Sequence, residues 1–170
     1  MALKSRPEMV VRKIDEGGKD DVSALIAKFR TELKSYKGIS SEEDIISAQE
    51  EFSEYIASAF PVYACYDNEE CVGYIVCRVE EPVVWVESLY VVAEKRRNGV
   101  ATLLYDEAEA LAKSYGEDTL YNYVHPNNDG MIRFLSKRGY DVLNLIEIRK
   151  KIGDERLTET ISVRNNVFNY

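Results

Sequence analysis

Three cysteines and a single histidine are all that 170 residues offer in the way of soft metal ligands or redox partners. Cys65, Cys71 and Cys77 are too few, and odd in number, to staple a secreted fold, and with one imidazole they make a poor zinc set, so no metal is expected. Long apolar runs are also missing. Nothing approaches the roughly 18 consecutive apolar residues of a spanning helix, so no membrane partner is expected. The opening Met1-Ala-Leu-Lys-Ser-Arg-Pro lacks the apolar stretch of a signal peptide, and a cytoplasmic location is the expectation. Positive charge is absent between Gly38 and Cys77, which hold no Lys or Arg but nine acids: Glu42, Glu43, Asp44, Glu50, Glu51, Glu54, Asp67, Glu69 and Glu70. That segment carries −9 against a chain total of −8, which leaves +1 for everything else. A nucleic-acid binder should show a basic stripe instead, so no nucleic-acid partner is expected. An acidic run is either a solvated helix face or a wall that attracts a cationic substrate.

What is present reads as one folded domain over residues 1–170, with 45% apolar and 31% charged residues and no repeat, linker or low-complexity segment. Met9 to Asp15 predicts a first strand, and Val22, Leu25, Ile26, Phe29 and Leu33 follow helical spacing. Ser40 with Glu43 suggests a capping box for a second helix carrying Ile45, Gln49, Phe52, Ile56 and Ala59 on one face. Val62 to Tyr66, Cys71 to Val79 and Val83 to Val92 read as strands, Val100 to Tyr115 as a long helix, and Thr119 to Val124 as a strand. Asp129 to Lys137 predicts a short helix, and Val142 to Lys150 and Ile161 to Tyr170 predict two closing strands. The result is a mixed α/β fold with helices on the sheet. The final strand offers an edge through which two copies could pair as a homodimer.

The informative stretch runs from Leu89 to Leu104. A buried-looking strand leads through Arg96-Arg97-Asn98-Gly99-Val100-Ala101 straight into the long helix. Such a turn aims several backbone N–H groups in one direction, and the helix dipole adds partial positive charge, so it can hold a phosphate or pyrophosphate. Gly99 permits a positive φ or close approach, and the two arginines can neutralise phosphate charge. One glycine is too few for a dinucleotide fingerprint, and no Gly-Lys-Ser/Thr is present.

The segment resembles the signature of the GCN5-related N-acetyltransferase (GNAT) superfamily, Arg/Gln-x-x-Gly-x-Gly/Ala, preceded here by Leu89-Tyr90-Val91 where the family has Leu-x-Val. Element order agrees along nearly the whole chain. The resemblance implies a mostly antiparallel sheet of about seven strands flanked by about four helices, and a cofactor core over about 83–140. It implies acetyl-CoA as cosubstrate, with pantetheine on the main chain of Leu89, Tyr90 and Val91. The pyrophosphate would sit on Arg96, Arg97, Asn98, Gly99, Val100, Ala101 and Thr102. Counting back from Gly139-Tyr140, Asn128 takes the family's asparagine position, and Leu135 the position of its tyrosine. Leucine donates no proton to a departing thiolate. Tyr121, Tyr123 and Tyr140 are candidates to replace it, and the acid stays unassigned.

Strand alternation puts Glu87 on the face of Leu89 and Val91, where many family members carry a carboxylate. Glu87 is therefore the candidate base, taking a proton from the attacking amine. The expected activity is acetyl transfer to a primary amine, cationic in keeping with the acidic segment: a protein N-terminus, a lysine or a small amine. The loop resembles the protein N-terminal acetyltransferase branch. The alternative is an acyl-CoA sensor without turnover. His125 reads as a loop residue, the cysteines as strand packing, and Trp85 and the tyrosines as core or acceptor lining.

Overall fold

The computed structural model describes residues 9–170, which form two compact units divided after Ile132. In the first, β1 (Met9–Ile14), β2 (Val62–Asp67), β3 (Glu70–Glu80), β4 (Val83–Val91) and β5 (Tyr121–Asn122) make one sheet in that spatial order. Every neighbouring pair is antiparallel except β4 with β5. Three helices belong to this unit: α1 (Lys19–Ser35), α2 (Ile45–Ala57) and α3 (Val100–Ser114), while α4 (Asp129–Lys137) runs across the division. The second unit contains a separate hairpin of β6 (Thr160–Val163) and β7 (Asn166–Asn169). The mixed α/β expectation holds, with seven strands and four α-helices among the described residues.

Side chains of β3 alternate between two helical layers. Gly73 faces Val100 and Leu104 of α3. Tyr74, on the opposite face, shares its surroundings with Tyr55 of α2 and Arg30 of α1. Val22, Leu25 and Ile26 of α1 are buried as their spacing predicts. In α2 the buried positions are Ala48, Phe52 and Tyr55, and Ile45 is exposed. The buried face is thus rotated from the expected one, and the helix also starts later than the capping-box expectation. Asp44 is the cap, accepting from the Ser47 amide at 3.0 Å and the Ser47 hydroxyl at 2.8 Å.

Three strand expectations need correction. Val142 to Lys150 forms no ladder, and Val142, Leu143, Leu145 and Ile148 are exposed. Apolar alternation becomes a strand only when a neighbour supplies hydrogen bonds, and none does so here. Ile161 to Tyr170 is a hairpin rather than one strand, turning at Arg164, whose φ is 56°. The fifth strand is laddered only over Tyr121–Asn122.

Candidate active site

Glu87 occupies a β-bulge. Val76 pairs with Ser88 and Cys77 pairs with Val86, so Glu87 is the extra residue of β4 and has no cross-strand partner. The bulge breaks the two-residue period on which the alternation argument rests. Trp85, opposite Arg78, shares its face with Ser88 and Tyr90 rather than with Leu89 and Val91. The Glu87 carboxylate lies 3.6 Å from Arg78 Nε and is one-third exposed. It is thus directed to the α1/α2 side, where the buried Tyr74 hydroxyl and Ser88 Oγ share a 2.8 Å hydrogen bond. The reading of Glu87 as a neighbour of Leu89 and Val91 on one face is corrected accordingly.

One residue before the bulge, the sheet opens. β4 and β5 pair only at Trp85–Tyr121 and Val86–Asn122, and β4 then continues to Val91 without a β5 partner. Leu89 is half-buried, and Tyr90 and Val91 are buried. A parallel pair that stops this early leaves main-chain groups beside the gap for another chain-like molecule to satisfy.

Beyond β4 a 3-10 turn (Ala93–Lys95) leads into the signature loop. Arg97 and Gly99 both take positive φ, 62° and 90°, and no side chain among the described residues caps α3. The helix ladder begins with the Leu103 amide donating to the Gly99 carbonyl, so the amides of Val100, Ala101 and Thr102 precede it. Val100 is buried, Ala101 half-buried, and Arg97, Asn98, Gly99 and Thr102 are exposed. This arrangement can hold an anion through main-chain donors and the positive end of the helix.

Arg96 does something other than the sequence suggests. Its Nε donates to the Val91 carbonyl at 2.9 Å, its Nη2 to Glu32 of α1 at 2.5 Å, and its guanidinium lies 5.4 Å from the Tyr90 ring. The side chain thus ties the loop to β4 and α1. Tyr36 completes the tie by donating to Glu32 at 2.9 Å; burial and that bond push its phenol up to about 12. His125 stacks on Tyr36 at 5.7 Å, and burial, helped by Lys37, lowers its pKa. Neither Glu32 nor Tyr36 carries a motif, and only folding brings them to the loop.

Asn128 caps α4, its Oδ1 accepting from the Met131 amide at 3.1 Å. Leu135 is buried. Trp85 packs with Tyr121 and Tyr123, ring centroids 4.9 Å apart in both pairs, and Tyr123 is 67% exposed. Burial pushes the Cys71 and Cys77 thiols up to about 12, so both stay protonated near neutrality and are poor nucleophiles. The acidic segment divides by role. Glu51 binds Arg30 and Tyr55, Asp67 binds Lys95, and Glu69 binds Arg12, while Glu42, Glu43, Glu50 and Glu54 are exposed. Arg78 is the residue that sequence reasoning missed. Its available signal is a lone arginine in the apolar run from Cys71 to Val79.

Known proteins resemble this chain in fold and, in part, in sequence. The solved aminoglycoside N-acetyltransferase AAC(6')-Iy in complex with CoA superposes with a TM-score of 0.69 at 14% identity, over 88% of this chain and 99% of that one. A ribosomal-protein-alanine N-acetyltransferase from Brucella melitensis biovar Abortus superposes with a TM-score of 0.67 at 16% identity, over 86% of this chain and 100% of that one. At these identities the likeness is one of fold. The Probable N-acetyltransferase san of Drosophila melanogaster is 26% identical over 87 residues, 48% of this chain and 47% of that protein. The chain therefore spans about half the length of that curated relative. Residues 26–140, from α1 through the loop to the turn after α4, match the model of the acetyltransferase (GNAT) family, and the chain belongs to that family.

Proposed function

We propose that this protein transfers the acetyl group of acetyl-CoA to a primary amine by direct attack, with Glu87 accepting the amine's proton. The observation that carries the reading is the bulge: it turns a strand carboxylate toward the α1/α2 side one residue after β4 and β5 stop pairing. The residues present fit the cosubstrate, because an uncapped helix start with Gly99 at φ 90° suits a pyrophosphate. Main-chain groups of Leu89, Tyr90 and Val91 would hold the pantetheine arm. Arg97, Asn98, Gly99, Val100, Ala101 and Thr102 would hold the pyrophosphate, with Arg97 contributing exposed charge. Arg96 acts by fixing the loop, and Asn128 by starting α4.

When bound, acetyl-CoA supplies an acyl carbon joined to a thiolate leaving group. The neutral amine forms the new N–C bond as the C–S bond breaks, its proton passes to Glu87 directly or through water, and the thiolate departs. Main-chain amides near Leu89 stabilise the developing oxyanion. A thiolate with a pKa of about 8.5 leaves without an obligatory acid, which accommodates Leu135. Exposed Glu42, Glu43, Glu50 and Glu54 favour a cationic acceptor, a peptide N-terminus, lysine or small amine. The structural neighbours are named for aminoglycoside and ribosomal-protein-alanine acceptors.

The test is release of CoA thiol from acetyl-CoA with separate pools of basic peptides, peptides with free N-termini, and polyamines, against a blank without amine. Amine-dependent release is expected. Binding of acetyl-CoA with no release above the blank from any pool overturns the proposal in favour of an acyl-CoA sensor.

A further inference from the structure

Arg78 lies in β3, the middle strand of the five-stranded sheet, one register step from the bulge that carries Glu87. Its side chain is only 29% exposed. Nη1 is 3.3 Å from Glu80, and the guanidinium carbon is 5.5 Å from the Trp85 ring, so the fork is held on an aromatic platform and against one carboxylate. Nε is different. It is inaccessible and has no hydrogen-bond partner among the described residues, and Glu87 Oε2 lies 3.6 Å from it. That separation is an ion pair but exceeds the 2.7–3.2 Å range of an N–H···O bond. A buried N–H without an acceptor is a rare feature that asks for a reason.

The reason is at hand in the bulge. Glu87 has no cross-strand partner to fix it, and its carboxylate torsion is broad when nothing grips one oxygen. We infer that Arg78 is a positioning residue for Glu87: its Nε–H grips Oε2 when the acceptor is bound and leaves Oε1 turned to the amine. Hydrogen bonds in catalytic constellations are often long without substrate and tighten in the reactive complex. Glu80 and Trp85 serve by holding the guanidinium so that Nε, rather than a terminal nitrogen, faces the bulge. Tyr55 of α2 also lies near Glu87, and it binds Glu51, which in turn binds Arg30 of α1. Arg30 is engaged with Glu51, and among the described residues Arg78 is the cation paired with the Glu87 carboxylate. A lysine could replace the charge of Arg78 but not its planar fork.

The inference rests on Glu87 being the base, and a double-mutant cycle separates the two claims. Turnover of acetyl-CoA with the peptide and polyamine pools is measured for wild type, Arg78→Leu, Arg78→Lys, Glu87→Gln and the Arg78→Leu/Glu87→Gln pair, with acetyl-CoA affinity measured for each by calorimetry. Arg78→Leu should lower kcat about tenfold, with the acetyl-CoA Kd within about twofold of wild type, a loss equivalent to about 1.4 kcal/mol. In the Glu87→Gln background the same substitution should cost less than about twofold, because its target is gone. Arg78→Lys should recover only part of the loss. An Arg78→Leu penalty equal in both backgrounds, or one that appears in acetyl-CoA affinity instead of kcat, makes Arg78 a structural residue and overturns the inference. Full activity of Glu87→Gln overturns the base assignment itself. An Arg78→Leu chain that fails to fold leaves the decision to Arg78→Lys, whose activity equal to wild type would also overturn it.

Discussion

Gly73 is where the sheet and the signature loop meet most closely, and replacing it with alanine tests how the loop is held. Gly73 pairs with Val91 in β4 and faces the first turn of α3. An added Cβ would lie 2.9 Å from Val100 Cγ1, 3.0 Å from the Tyr90 carbonyl oxygen and 3.2 Å from Leu104 Cδ1. Carbon contacts relax at about 3.5–4.0 Å, so all three are too short. The Tyr90 oxygen belongs to the strand backbone, and Val100 is β-branched with little freedom at χ1. The first turn of α3 must therefore move outward by several tenths of an ångström, carrying Gly99 with it. Overpacking of this kind costs about 1–3 kcal/mol, offset by about 0.5–1 kcal/mol from removing a glycine within a strand. The net loss is up to about 2.5 kcal/mol, which corresponds to a fall in Tm of up to about 10 °C in a chain of this size. Acetyl-CoA affinity should weaken about threefold to tenfold as the loop amides shift, about 0.7–1.4 kcal/mol. Thermal unfolding by circular dichroism and calorimetric titration of acetyl-CoA check both. A variant as stable as wild type with unchanged affinity would refute the argument that the α3 start is seated on Gly73.

Two further outcomes follow from the tie between α1 and the loop. Glu32→Ala removes the carboxylate that holds Arg96 and Tyr36, so acetyl-CoA Kd should rise severalfold with kcat little changed; an unchanged Kd counts against Arg96 as the loop's anchor. His125 has its pKa lowered in the fold, so the unfolded chain binds the proton more readily, and stability should be lost as pH falls through the unfolded value of about 6.5. Urea midpoints at pH 7, 6 and 5 should fall less steeply for His125→Gln than for wild type, and parallel slopes would remove His125 from that response.

The parts of this molecule that sequence made legible are those governed by local chemistry. Gly99 before a helix announces a positive φ, and Val22, Leu25 and Ile26 announce a buried face, because backbone sterics and helical period act within a few residues. The bulge was hidden because an extra residue leaves composition and apparent alternation intact; only the pairing of Val76 with Ser88 and Cys77 with Val86 exposes it. The tie made by Arg96 is illegible for a related reason: its partners Glu32 and the Val91 carbonyl come from a distant helix and from backbone, neither of which has a local signal. The stretch from Val142 to Lys150 has a strand's composition without a strand's neighbour, and propensity alone does not form a ladder.

The Glu87→Gln variant tests the central claim most directly, assayed beside wild type for amine-dependent CoA release and for acetyl-CoA binding. Glutamine keeps the shape and hydrogen-bonding reach of the side chain but accepts no proton. The account predicts a fall in kcat of at least about 100-fold with acetyl-CoA affinity within about twofold of wild type. Turnover equal to wild type across pH 6 to 9 would contradict it and remove Glu87 from the chemistry.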